Sequence, residues 1–201
     1  MVVFAVVLVG VLDGPRREQQ QRARDHLVPD ALDAYLDEHG YTRLGDAIVA
    51  DHARHVREYA DEVAPLVAAL GGPTAEPRDF ASTALGHVQS IPYQSRAKVS
   101  NAYRRPLLVL ARNKGDCDSK AVLFLALIHA HQPDLELAVV YVPEHALTGV
   151  GLPSVAGDRG FKVDGVDFIY AEPVGPSMTP LGQTAPANKK AGKKGEIRVV
   201  P

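Results

Sequence analysis

The sequence predicts an α+β fold in which N-terminal helices, and a later helix that begins at the only cysteine, pack on an antiparallel sheet. Apolar residues recur at helical spacing through residues 15–70. A second apolar run follows Cys117 and continues to about residue 131. Beyond it, short runs rich in Val and aromatic residues are separated by glycines and an Asp-Gly pair, which is typical of strands joined by tight turns.

Length and composition bound the class of protein. The 201 residues are 46% hydrophobic, which suits one domain with a real core. The net charge of -2 gives no reason to expect a nucleic-acid partner. A single cysteine excludes an intramolecular disulfide and a Cys-based zinc site. Without a glycine-rich phosphate loop of the usual spacing, we expect no nucleotide, and no other cofactor is implied.

Four regions follow from shifts in composition: an apolar segment at 1–14, a helical region at 15–72, a core at 73–178 and a flexible basic tail at 179–201. Residues 1–12 are too short to span a bilayer, which takes about 20 residues. A buried strand, a shortened signal-anchor and the end of a longer span all remain open. The sharp switch at Asp13 to an arginine-rich run favours a membrane-related remnant. We therefore expect membrane association or an envelope location, with a cytoplasmic location as the alternative, because arginines beside a span favour the cytoplasmic side.

Within the helical region, one helix is predicted over about 28–39 and a second over about 46–70, where Pro65 could kink it. His52 and His55 are three residues apart and would share a face of the second helix, where they could bind a metal. No further ligands stand at a recognisable spacing, so a partly exposed surface pair is the favoured interpretation and no metal site is expected.

The core contains the stretch around Cys117, which follows a glycine turn and opens an apolar helix-like run. Asp116 or Asp118 is a candidate N-cap, since a short carboxylate accepts a hydrogen bond from the first turn. Free N–H groups and the helix dipole favour the thiolate there, whereas the flanking aspartates oppose it. The position indicates a reactive cysteine without separating it from a buried structural one.

Strands are predicted over 135–142 and 145–150, and a hairpin turn at Asp164-Gly165 precedes a further strand that ends at Glu172. His145 stands at the head of the second of these strands. Three carboxylates compete to partner it. Asp164 is assigned to the turn and Asp167 alternates with Phe168 towards solvent, so Glu172 is the preferred acid.

The order Cys117, His145, Glu172, on a helix start, a strand and a strand end, resembles the transglutaminase-like superfamily, and the resemblance covers roughly residues 85–176. It implies a papain-like core with Cys117 as nucleophile, His145 as general base and Glu172 as orienting acid. It also implies that Gln89 donates to the oxyanion beside the backbone N–H of Cys117, with Tyr93 or Gln94 as alternatives and plain packing roles equally open. The substrate would be a protein or peptide.

Two functions follow from this resemblance. The first is a cysteine-dependent enzyme, of the thiol protease, amidase or transglutaminase kind, which hydrolyses peptide or amide bonds through a thioester. Hydrolysis is preferred to amine transfer because water is always present and no second substrate site is evident. The second is a catalytically silent transglutaminase-like module that binds a peptide or a protein partner. It is suggested by a Glu where the family's acid is usually Asp and by the absence of Trp.

Overall fold

A computed structural model describes residues 29–38, 40–44, 47–94, 104–142, 145–175, 177–188 and 195–201. The predicted apolar segment, the lysine run at 189–194 and Tyr103 lie outside these residues. Contacts divide the chain into two units, residues 1–39 and residues 40–201. In the first unit the described part is helix α1 (Pro29–Glu38), which begins with Pro29 at the position where a missing N–H costs nothing.

The second unit is mixed α+β, as predicted. Its elements in chain order are a hairpin of β1 (Tyr41–Leu44) and β2 (Ala47–Ala50), helices α2 (Ala60–Ala69), α3 (Pro77–Ser90), α4 (Pro106–Arg112) and α5 (Cys117–His131), and strands β3 (Leu137–Val142), β4 (His145–Val150), β5 (Gly160–Val163), β6 (Val166–Ala171) and β7 (Glu196–Val199). Short 3₁₀ turns lie at Arg57–Tyr59, Gly72–Thr74 and Pro186–Asn188.

The predicted helix over 46–70 is wrong in its first half. Residues 47–50 form β2, which pairs antiparallel with β1, and α2 begins only at Ala60. The run Ala47–Ala50 is short and apolar, and such a run fits a strand as well as one turn of a helix. Gly71, with φ of 80°, then ends α2 in a left-handed conformation.

Helix α5 lies at the centre of the core. Its side chains from Ala121 to Ile128 are buried on every side of the helix, as expected for a helix covered all round. Helices α2, α3 and α4 contact it, and so do strands β3 and β4. The cysteine therefore begins a helix that is fixed between the other helices and the sheet.

The five-stranded sheet is antiparallel throughout, with the strand order β5-β6-β4-β3-β7. Successive residues of its strands alternate between the two faces: Val139 and Tyr141 join the main core with α5, whereas Val140 joins a second, smaller cluster. The predicted Asp-Gly hairpin is confirmed. Asp164 and Gly165 have φ of 48° and 88° and join β5 to β6.

The flexible tail predicted over 179–201 differs from the structure. Strand β7 pairs with β3 from Ala138 to Tyr141, and residues 177–188 are bound to the core by backbone hydrogen bonds. Gly182 donates to the carbonyl of Tyr170 at 2.8 Å and accepts from Arg159 at 2.7 Å. The Pro, Gly and Lys content that suggested disorder does not reveal these backbone contacts.

Candidate active site

Cys117 is the first residue of α5, and Asp116 is the N-cap. The Asp116 carboxylate accepts a hydrogen bond from the backbone N–H of Ser119 at 3.0 Å. Gly115 is hydrogen-bonded to Pro92 and Gln94, which fastens the segment after α3 to the turn before the cysteine. A Cβ on Gly115 would lie 3.2 Å from Cγ of Lys120, so the turn fits closely against α5. The backbone turn that carries Cys117 is thus held on both sides.

The Cys117 thiol is buried and protonated at neutral pH. Burial raises the pKa of the thiol most, the carboxylate of Asp118 raises it as well, and the backbone of Ala146 lowers it, so that the pKa of the thiol is about 12. Oδ1 of Asp118 lies 3.6 Å from the sulfur. The place of Cys117 at the start of a helix predicts a thiolate, but burial and the carboxylate of Asp118 outweigh the effect of the helix dipole.

His145 is the first residue of β4, and its Nε2 lies 3.0 Å from Oε1 of Glu172. Glu172 directly follows β6, the strand that pairs with β4 through Thr148 and Ala171. The antiparallel pairing brings together two residues that are 27 positions apart in the sequence. The structure thus places Glu172, and not the rival aspartates, on the histidine.

Glu172 is buried and still ionised. Burial raises the pKa of its carboxyl, but hydrogen bonds from His145, from the backbone N–H of Ala185 and from Asn188 outweigh burial and hold the pKa below its usual range. Because this carboxylate accepts from Nε2 of His145, the neutral imidazole carries its proton on Nε2 and its lone pair on Nδ1. The lone pair is what a general base needs.

Ala146 relates the position of the histidine to that of the cysteine. This residue follows His145 in β4, and its backbone lies close enough to Cys117 to lower the pKa of the thiol. The start of α5 and the start of β4 therefore meet at one place. As the first residue of the helix, Cys117 also has a backbone N–H without an acceptor inside the helix, so that this group can donate to a developing oxyanion.

Gln89 is buried in α3, and its amide nitrogen donates to the backbone carbonyls of Glu172 at 3.0 Å and Thr179 at 2.7 Å. Both amide hydrogens are used in these bonds, which connect α3 to the residues around the acid. The oxyanion role of Gln89 stays a prediction, and in the resting structure its side chain tethers two segments.

The rival acids lie elsewhere. Asp164 is in the hairpin turn, and Asp167 is 72% exposed and lies 3.0 Å from Lys162 across the β5–β6 pair. The alternative oxyanion donors are beside the cysteine turn. Tyr93 is about half exposed and forms an isolated bridge to Gly115, and the side-chain oxygen of Gln94 accepts from Arg104 at 2.9 Å.

His52 is not the partly exposed surface residue that was predicted. It is 3% exposed and its Nε2 lies 3.7 Å from Oδ2 of Asp118. Burial lowers the pKa of His52, against the raising effect of Asp118. His55 instead contacts Glu58 at 3.0 Å. Within the part of the chain that the structure describes, no three His, Cys, Asp or Glu side chains are grouped as metal ligands would be.

Sequence reasoning missed two contributors to this site, Asn188 and the backbone of Ala185. Both donate to Glu172, at 2.8 Å and 2.6 Å. Both lie in the region that composition assigned to a flexible tail, and no local motif marks them.

In the described ranges of the chain, none of the helices combines the length and the hydropathy needed to cross a membrane. Comparison of the chain with protein-family models, with curated proteins and with solved structures finds no match.

Proposed function

We propose that this protein is a cysteine-dependent acyl-transfer enzyme of the transglutaminase-like type, with a papain-like core and the triad Cys117, His145 and Glu172. The observation that carries the proposal is the 3.0 Å bond between Nε2 of His145 and Glu172. His145 precedes Ala146, whose backbone lowers the pKa of the Cys117 thiol. A nucleophile, a base and an orienting acid in this order are what acyl transfer requires.

The chemistry follows from the tautomer of His145. Nδ1 takes the proton of the Cys117 thiol as the sulfur attacks the carbonyl carbon of an amide, and a C–S bond forms. The backbone N–H of Cys117 donates to the oxygen that becomes negative. His145 then returns the proton to the departing amine as the C–N bond breaks, which leaves a thioester on Cys117.

The thioester is released by a second attack. Water gives up a proton to His145 and adds to the acyl carbon, the C–S bond breaks, and the thiol is restored as a carboxylic acid leaves. We propose hydrolysis of a peptide or amide in a protein or peptide substrate, since water needs no binding site. An amine that took the place of water would give transglutamination instead.

The high pKa of the thiol shapes this mechanism. With a value of about 12, the sulfur is not a resting thiolate, so proton transfer to His145 must accompany attack. Glu172 favours that transfer because its carboxylate stabilises the imidazolium that results.

The same raised pKa supports a second candidate, a silent transglutaminase-like module that binds a peptide or protein partner. In that case Cys117 would be a buried structural residue whose neighbour Asp118 keeps it protonated. The two functions differ in whether Cys117 accepts an acyl group.

The test uses an activated ester on the full chain. Wild type and Cys117→Ala are incubated with p-nitrophenyl acetate, and the acetylated residue is identified by mass spectrometry of peptides. The enzyme proposal predicts one acetyl group on Cys117, which decays by hydrolysis and is captured by added hydroxylamine. Acetylation that spares Cys117 in the folded protein supports the silent module instead.

A further inference from the structure

The carboxylate of Glu172 receives most of its hydrogen bonds from a segment outside the three proposed catalytic residues. Oε1 accepts from Nε2 of His145 at 3.0 Å and from Nδ2 of Asn188 at 2.8 Å. Oε2 accepts from the backbone N–H of Ala185 at 2.6 Å. The side chain of Glu172 is 7% exposed, so these donors replace water around the charge.

The segment that supplies these donors is itself fixed. Asn188 closes the short 3₁₀ turn at Pro186–Asn188, and its backbone N–H donates to Ala185 at 2.9 Å. Upstream, the side-chain amide of Gln89 donates to the carbonyl of Thr179, and the carbonyl of Tyr170 accepts from the N–H of Gly182. The amide of Asn188 therefore has a defined place beside the carboxylate.

We propose that Asn188 is a positioning residue for the His145–Glu172 pair, and that the site is complete only when residues 184–188 are docked on the core. This inference rests on the proposed function. The same oxygen of Glu172 accepts from the amide of Asn188 and the imidazole of His145. A carboxylate held by the amide keeps one orientation and so fixes which imidazole nitrogen carries the proton.

A neutral amide suits this task. It donates to the carboxylate at every pH, and it adds no charge that would compete with the imidazolium. Burial tends to drive the Glu172 carboxyl towards its neutral form, which would lose the acceptor that His145 needs. The donors from residues 185 and 188 counter that tendency, because both hydrogen bonds lower the pKa of the carboxyl.

The test measures the tautomer of His145 directly. Full-length protein with ¹⁵N-labelled histidine is studied by long-range ¹H–¹⁵N spectra, and the His145 signals are assigned by their loss in His145→Ala. We expect neutral His145 to be in the Nε2–H form in the wild type. In Asn188→Ala we expect a mixture of the two tautomers, together with acetylation of Cys117 that is about tenfold slower.

Two further variants separate positioning from folding. Asn188→Leu keeps the branched shape of the side chain and lacks the donor, so it should behave like Asn188→Ala. Gln183→Ala is the matched control: Gln183 directly precedes this segment, and its side-chain amide donates to the carbonyl of Gly157 instead of to Glu172. It should leave the tautomer unchanged.

The tautomer of His145 and the acetylation of Cys117 distinguish failure of this inference from failure of the proposed function. If His145 keeps the Nε2–H form in folded Asn188→Ala and Asn188→Leu, Asn188 does not position it and the inference is overturned. If the tautomer responds but the wild type never acetylates Cys117, the positioning stands and the proposed reaction fails.

Discussion

The carboxylate of Asp118 lies 3.6 Å from the sulfur of Cys117, so the protein places a negative charge directly beside its only thiol. Burial of the thiol and, to a smaller extent, this charge oppose the thiolate and raise the pKa of the thiol to about 12. The proposed nucleophile is thereby kept as a neutral thiol. Substitution of Asp118 is therefore the simplest way to change the reactivity of the Cys117 thiol.

Asp118→Asn should make Cys117 more reactive. Removing the charge lowers the pKa of the thiol, so the thiolate fraction at pH 7 to 8 rises, and alkylation by iodoacetamide should become about tenfold faster. The pH dependence of the labelling rate is the measurement. Asp118→Glu retains the charge and should label close to the wild-type rate. Equal rates for the Asn and Glu variants would show that the aspartate charge does not control the thiol.

Asp116→Ala should destabilise the protein by about 1 kcal/mol, because α5 loses the carboxylate that caps the N–H of Ser119. Urea unfolding measures the difference. Asp118→Ala, two positions along the same turn, removes a carboxylate that does not cap the helix. Asp118→Ala should lower the free energy of unfolding clearly less than Asp116→Ala. The reverse order would contradict the assignment of Asp116 as the N-cap.

Glu172→Gln should change the pH dependence of the free energy of unfolding in the acid range. The folded pKa of Glu172 lies below its ordinary value of 4.5, so between the two values the unfolded chain binds more protons than the native state. The stabilisation is present in full above about pH 4.5 and is lost as the pH falls through the folded pKa. At neutral pH the free energy of unfolding of the wild type should exceed that of Glu172→Gln by roughly 1 to 3 kcal/mol. This gap should narrow below about pH 4.5 in denaturant titrations. A gap that stays constant down to low pH would mean that the charge of Glu172 is not stabilised in the native state.

Lys120 offers a separate test of the core near the site. Its side chain is fully buried in α5, and Nζ donates to the carbonyl of Ile91 at 2.7 Å. Burial lowers the pKa of Lys120 from 10.5 to about 8. Between these values the native state binds fewer protons than the unfolded chain, so stability rises with pH across that window.

Wild type should therefore gain stability relative to Lys120→Met between about pH 8 and pH 10, by at most about 1.4 kcal/mol for each pH unit. Below that window the difference should be independent of pH. Paired urea titrations at several pH values measure it. Parallel curves for the two proteins across the window would contradict a lowered lysine pKa.

The parts of this fold that the sequence could predict are those with strong local patterns. The long apolar run after Cys117 forms α5. The Asp-Gly pair at 164–165 predicts a hairpin turn, and both residues have the positive φ angles that such a turn requires. The turn accounts for Asp164 and the strand alternation for Asp167, so the sequence predicts Glu172 as the acid, and Glu172 contacts His145.

The parts that could not be predicted depend on contacts distant in sequence. Ala47–Ala50 forms a strand only because β1 pairs with it. His52 is buried by contact with Asp118 and with the ring of Tyr141, whose centroid is 5.9 Å away. Asn188 reaches Glu172 across 16 residues of Pro- and Gly-containing chain, and no local pattern marks that distance.

We propose that His145 acts as a base towards Cys117. Single-turnover release of p-nitrophenolate from p-nitrophenyl acetate at pH 7, for wild type and for His145→Ala, tests this role. We expect a burst of one equivalent in the wild type and acylation about a hundredfold slower in the variant, as for loss of a general base. Equal rates in the two folded proteins would contradict it, because Cys117 would then react as an ordinary thiol without help from His145.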